Sequence, residues 1–159
     1  MTYLTKSESD TLSFAARLSP MLSAGDTVLL EGDLGAGKSV LARGIARGMG
    51  IEGPMPSPTF TLMIPYEGEG GRLYHFDLYR LSDPDEYYAA GLDEFVGGDG
   101  AAVIEWPDCA ELDPERAIRV TLSRRDDSDD AREIEIALTG LDDRRAAIEE
   151  TLTQWRLEA

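Results

Sequence analysis

"GDLGAGKS", Gly32 to Ser39, lies between the apolar run "TVLL" (27–30) and the helical pattern "VLARGIARGMG" (40–50). Three glycines around a lysine bury little apolar surface, so this stretch is unsuited to a core. It fits G-x-x-x-x-G-K-[ST], with Gly32, Gly37, Lys38 and Ser39 in the fixed places. The spacing has a chemical reason. Glycines let backbone N–H groups turn inward and approach an anion with no Cβ in the way. The following helix adds unpaired N-terminal N–H groups and the positive end of its dipole. Lys38 then reaches the outer phosphates, and the Ser39 hydroxyl can ligate Mg²⁺. The motif requires a strand before it and a helix after it; Thr27–Glu31 and Lys38 to about Met49 read as those two elements. The same logic has Lys38 projecting toward ligand and not packing.

Composition bounds the rest. A chain of 159 residues, 42% hydrophobic and 29% charged, reads as one soluble globular domain over 1–159. "MTYLTKSESD" lacks the basic-then-apolar pattern of a secretory leader, and no apolar stretch reaches membrane-spanning length. The single cysteine, Cys109, permits no internal disulfide and suits a reducing compartment. A cytoplasmic protein with no membrane contact is expected, and a monomer. Net charge is −16, and Lys6 and Lys38 are the only lysines. Such a surface repels nucleic acid, so any RNA is expected to be held by a partner.

Along the chain, "SESDTLSFAARLSPMLSAGD" (7–26) has helical spacing at Leu12, Ala15, Ala16, Leu18 and Leu22, with Gly25 as its expected close. "GIEGPMPSPTF" (50–60) is a loop by its prolines and glycines. "TLMIPY" and "RLYHFD" flank "GEGG" as a hairpin, and "DPDEYYAAGLDEFV" (83–96) predicts one or two short helical turns. "AAVIEW" (101–106) is an apolar run ending in a carboxylate, the pattern of a strand buried on both faces. "AIRVTLSR" and "REIEIALTG" alternate around the acidic turn "RDDSDDA" (125–131) as a second hairpin, and the tail from Leu141 predicts an amphipathic helix.

A phosphate loop needs an acid near its Mg²⁺, commonly at the end of a neighbouring buried strand. Glu105 ends the continuously apolar run, whereas Asp77 ends "RLYHFD", where polarity alternates. Burial pattern favours Glu105 for the metal and leaves Asp77 to orient water or to lie in a mobile segment. His75 shares a strand face with Asp77 and fits a packed, hydrogen-bonded role better than that of a base. Arg80 is open to two uses, a charge-stabilising finger or an ion pair with local acids. Ser57–Phe60, "SPTF", holds two hydroxyls in a Pro-bracketed turn and suits a segment that senses the γ-phosphate.

In order, "GDLGAGKS", "SPTF", "HFDLYR" and "IEW" closely resemble the TsaE (YjeE) family, small bacterial ATPases of tRNA threonylcarbamoyladenosine biosynthesis. The likeness covers nearly the whole chain. One departure is conservative: Ser39 stands where the family usually has Thr. The resemblance implies an α/β P-loop domain with a mixed, mostly parallel sheet flanked by helices, and a C-terminal hairpin plus helix. It implies that Gly35, Ala36, Gly37, Lys38, Ser39 and Val40, with Gly32, wrap the ATP phosphates. Ser39 and Glu105 would hold Mg²⁺, Glu8 and Thr11 would lie near the adenine or ribose, and Thr59 and Asp77 would serve hydrolysis beside Lys38. It further implies a TsaB–TsaD pair as partner, with tRNA met only through that pair, and the acidic insert as variable surface.

A small-molecule kinase is the competing enzyme reading. It needs an arginine-bearing lid, and Arg124 and Arg125 sit in a hairpin tip by pattern. A nucleotide-binding adaptor with incidental hydrolysis is the non-enzymatic one. A GTPase is disfavoured because no N-K-x-D tetrapeptide occurs.

Overall fold

The computed structural model describes residues 1–157. Its strands are β1 (Thr2–Thr5), β2 (Thr27–Glu31), β3 (Met63–Gly68), β4 (Gly71–Asp77), β5 (Ala101–Glu105), β6 (Ala117–Arg125) and β7 (Ser128–Thr139). The α-helices are α1 (Glu8–Leu18), α2 (Lys38–Gly48), α3 (Asp85–Ala89) and α4 (Arg145–Thr151). All seven strands form one mixed sheet in the order β1-β7-β6-β2-β5-β4-β3. The four central strands, β6, β2, β5 and β4, run parallel, and antiparallel hairpins flank them. This is a single α/β domain of mostly parallel character at its centre.

Sequence chemistry explains the order. β2 and β5 are the most uniformly apolar runs, and they take the middle of the sheet, where both faces are covered. One face carries α1 and α2 over Val28, Leu30, Val103, Ile118 and Val120. The other carries α3, through Tyr87, and short 3-10 turns over Leu29, Phe76 and Ile104. α1 and α2 pack closely because Gly44 has no side chain: a Cβ there would lie 2.6 Å from Ala15 Cβ and 2.8 Å from Leu12 O. Ser7 caps α1 by accepting from Asp10 N at 3.0 Å, and Asp10 also accepts from Lys6 N and from Trp155 Nε1.

Four expectations about the elements change. α1 ends at Leu18, followed by a 3-10 turn over Ser19–Met21, because Pro20 has no N–H to donate to Ala16 O, which accepts from the Ser19 hydroxyl instead. Gly25 therefore does not close the helix; it serves the turn into β2 with a φ of 90°. The N-terminal strand β1 was not anticipated: four residues are too short for an alternation signal, and β1 exists by pairing with β7 far along the chain. The C-terminal segment is not one helix. It divides into a 3-10 turn at Asp142–Arg144, the short α4, and a turn at Thr153–Trp155; residues 158–159 of that expected helix lie outside the described residues. No helix among the described residues is long and apolar enough to cross a membrane.

Candidate functional site

Parallel register brings the motifs together. Glu105 stands opposite Leu30 of β2 on one side and opposite Asp77 of β4 on the other. The carboxyl ends of β2, β5 and β4 thus open onto one edge, where ligands of open α/β sheets bind. The loop after β2 arrives at that edge and turns into α2. Gly32 has a φ of 146°, and a Cβ there would lie 2.6 Å from Leu122 O, so only glycine fits the close pass over β6. Gly37 caps α2 in the left-handed conformation, which aims the first N–H groups of the helix into the loop.

A cleft of about 410 Å³ opens there. It is lined by Glu8, Gly35, Gly37, Lys38, Ser39, Val40, Thr59, Asp77 and Glu105, and also by Leu34, Ser57, Trp106 and Arg132. Three residues expected at the site lie beside it. Gly32 and Ala36 face an adjoining groove between the loop and β6. Thr11 is buried, its hydroxyl 2.7 Å from that of Thr5, and it borders a small cavity of about 60 Å³ with Glu8, Gly37, Val40, Asp130 and Arg132.

The Ser39 hydroxyl donates to Glu105 Oε1 at 3.1 Å, and His75 Nε2 lies 2.7 Å from Glu105 Oε2. Asp77 holds a separate set of donors: Thr59 Oγ1 at 3.1 Å on Oδ2 and Tyr79 N at 3.0 Å on Oδ1. Ser57 and Thr59 share a hydroxyl hydrogen bond of 2.6 Å within the "SPTF" turn, and the Thr59–Asp77 bond seats that turn on the end of β4. The two acids, adjacent across the sheet, thus face different partners.

Lys38 lines the cleft, but it is packed where an unpacked side chain was expected. It is 5% exposed, donates to the carbonyls of Gly32 and Asp33, and lies 3.9 Å over the Trp106 ring. The ammonium thus lies against the face of the Trp106 ring while two carbonyls accept its hydrogens. Burial pulls its pKa below 10.5, while Glu105, Asp77 and Asp33 act in the opposite direction. Of the two uses open to Arg80, the ion pair does not form: among the described residues it pairs with no acid, and its guanidinium lies 4.7 Å over the Phe60 ring. Cys109 is half-buried in a 3-10 turn, and burial raises its thiol pKa.

Sequence reasoning missed three contributors. Trp106 is the floor under Lys38 and also meets the Tyr79 ring at 4.8 Å; an aromatic directly after the β5 carboxylate was the available signal. Arg124 donates to Gly35 O at 2.9 Å and Arg132 to Ala36 O at 2.7 Å. These arginines belong to the second hairpin, which is a hairpin as expected but folds back onto the phosphate loop. No local pattern reports such contacts. The acidic insert is accordingly not all remote surface, since Asp130 borders the small cavity.

The oxygen donors suit a hard cation. Among the described residues no cluster of three His, Cys, Asp or Glu side chains forms a self-sufficient metal cage. One hydroxyl and one carboxylate fit Mg²⁺, which keeps several waters and completes its shell with phosphate oxygens.

The sequence and the fold are both similar to those of known proteins. The family described as threonylcarbamoyl adenosine biosynthesis protein TsaE matches residues 5–134. The protein named tRNA threonylcarbamoyladenosine biosynthesis protein TsaE from Haemophilus influenzae is 46% identical over 116 residues, 72% of each chain. Its namesake from Treponema pallidum is 40% identical over 139 residues, 86% of this chain and 100% of that one. The crystal structure of YdiB from Bacillus subtilis superposes with a TM-score of 0.77 at 31% identity, covering 97% of this chain and 94% of that one. With its phosphate loop, central parallel strands and paired acids in place, the chain belongs to the TsaE family of tRNA threonylcarbamoyladenosine biosynthesis.

Proposed function

We propose that this protein is a Mg²⁺-dependent ATPase that acts with a TsaB–TsaD complex in threonylcarbamoylation of the adenosine beside the anticodon, without performing the transfer itself. The observation that carries this reading is the hydrogen-bonded pair Ser39–Glu105 at the mouth of the Gly32–Ser39 loop, with Asp77 held apart on Thr59. The loop N–H groups and the α2 N-terminus bind the phosphates, and Lys38 leaves its own carbonyls to neutralise the outer ones. Ser39 and Glu105 would hold Mg²⁺, which would supply positive charge against the phosphates. Asp77 accepts a hydrogen bond from the attacking water and orients it.

Two features favour slow turnover by the isolated protein. One acceptor site on each Asp77 oxygen is already taken by a protein donor, Thr59 Oγ1 or Tyr79 N, which leaves the carboxylate fewer sites for water. The rim of the cleft is also unfinished: Leu34 is 74% exposed and Phe60 84%, each an apolar side chain left in water. A partner that covers this rim would exclude water and reorder the "SPTF" turn. tRNA enters only through that partner, because 31 acidic against 15 basic residues give a surface that repels a phosphate backbone.

Steady-state ADP release tests this, measured for the protein alone, with tRNA, with a TsaB–TsaD pair, and with both. The expected result is a low rate alone, little change with tRNA, and acceleration by the pair. Strong stimulation by tRNA alone, or none by the pair, would overturn the proposed role.

A further inference from the structure

His75 is buried yet does not line the cleft, so it cannot touch a bound nucleotide directly. Its ring reaches diagonally across the sheet. β4 pairs His75 with Val103, but its Nε2 meets the carboxylate of Glu105, two residues further along β5. A carboxylate can only accept, so Nε2 carries the hydrogen; Nδ1 has no partner among the described residues. Both side chains of the pair are nearly fully enclosed, at 3% and 4% exposure. The other oxygen of Glu105 accepts from Ser39. His75, Glu105 and Ser39 therefore form a line running from the core to the cleft wall.

The geometry points to His75 as the positioning residue of the metal-binding carboxylate, an inference that rests on the proposed Ser39–Glu105 site. Glutamate has three rotatable side-chain bonds, and a hydroxyl on one oxygen does not fix the carboxylate plane. A short hydrogen bond from a ring packed within the sheet holds the second oxygen and so aims the first at the cleft. A His serving only to fill space would need no such bond, and a catalytic base would need access to water. Donors behind a metal-binding carboxylate raise affinity by holding it in the bound geometry before the ion arrives.

The test is ATP binding by calorimetry across Mg²⁺ concentrations and with the metal chelated, for wild type, His75→Leu and His75→Gln, with thermal unfolding alongside. Gln places an amide N–H near the position of Nε2; Leu fills the space and donates nothing. His75→Leu is expected to need about tenfold more Mg²⁺ at the midpoint, and His75→Gln to stay within about threefold of wild type. Metal-free ATP affinity is expected to be the same for all three, a separation that a general loss of packing would not produce. A His75→Leu midpoint equal to wild type, or an equal loss of affinity with and without metal, overturns the inference. If wild type itself ignores Mg²⁺, the Ser39–Glu105 reading fails and this inference with it. Should His75→Leu not fold, His75→Asn, whose shorter amide cannot reach Glu105, is judged by the same outcomes.

Discussion

Lys38→Met is expected to lose roughly 30- to 150-fold in ATP affinity, the equivalent of about 2–3 kcal/mol for a charge-assisted hydrogen bond. The variant is expected to fold with a melting temperature equal to or above that of wild type. The combination follows from where the ammonium sits. It is buried on Trp106, held by two carbonyls of its own loop, and burial disfavours its charged form. Methionine keeps the contact with the ring and removes the buried charge. The pH dependence has a definite sign. Because the folded-state pKa lies below the ordinary 10.5, the unfolded chain binds more protons just below that pH. Wild type should therefore gain stability from this group as pH rises toward 10.5, and Lys38→Met should lack that component. Calorimetric titration with ATP and thermal unfolding across alkaline pH check both parts. A folded variant that binds ATP as wild type does would remove the phosphate-cradle assignment.

The second large effect separates the two acids. Asp77→Asn is expected to bind Mg²⁺–ATP within about threefold of wild type and to lose about 10²- to 10³-fold in turnover, as for removal of a residue that orients or deprotonates water. Glu105→Gln is expected to do the reverse first, raising the Mg²⁺ requirement about tenfold or more before turnover at saturating metal is affected. The basis is the separation of their partners: Glu105 meets Ser39 at the start of α2, and Asp77 meets Thr59 of the loop before β3. Binding calorimetry beside single-turnover ADP formation distinguishes the outcomes. If Asp77→Asn abolishes metal-dependent binding and Glu105→Gln only slows turnover, the assignment of the β5 acid to the metal is wrong.

The parts of this site legible in the sequence are those carried by strand ends and tight motifs. Burial on both faces marked "AAVIE" as a central strand, and parallel register then placed Glu105 between Leu30 and Asp77. The hairpins were legible because alternation and turn residues agree locally. What was not legible depends on contacts distant in sequence. β1 exists by pairing with β7, and Arg124 and Arg132 reach the phosphate loop from about ninety residues away. The packing of Lys38 was not legible because Trp106 comes from the end of a different strand, and the motif alone does not report that contact. Arg80 shows the same limit: its guanidinium lies over a ring, Phe60, that is itself exposed in the neighbouring loop.

The most direct test of the central claim is ATP titrated calorimetrically into the wild-type protein, with Mg²⁺ present and with the metal chelated. One saturable site per chain is predicted, with affinity falling clearly when the metal is removed, since Ser39 and Glu105 present oxygen donors to an ion that the phosphates share. No saturable binding, or binding indifferent to Mg²⁺, would contradict the account.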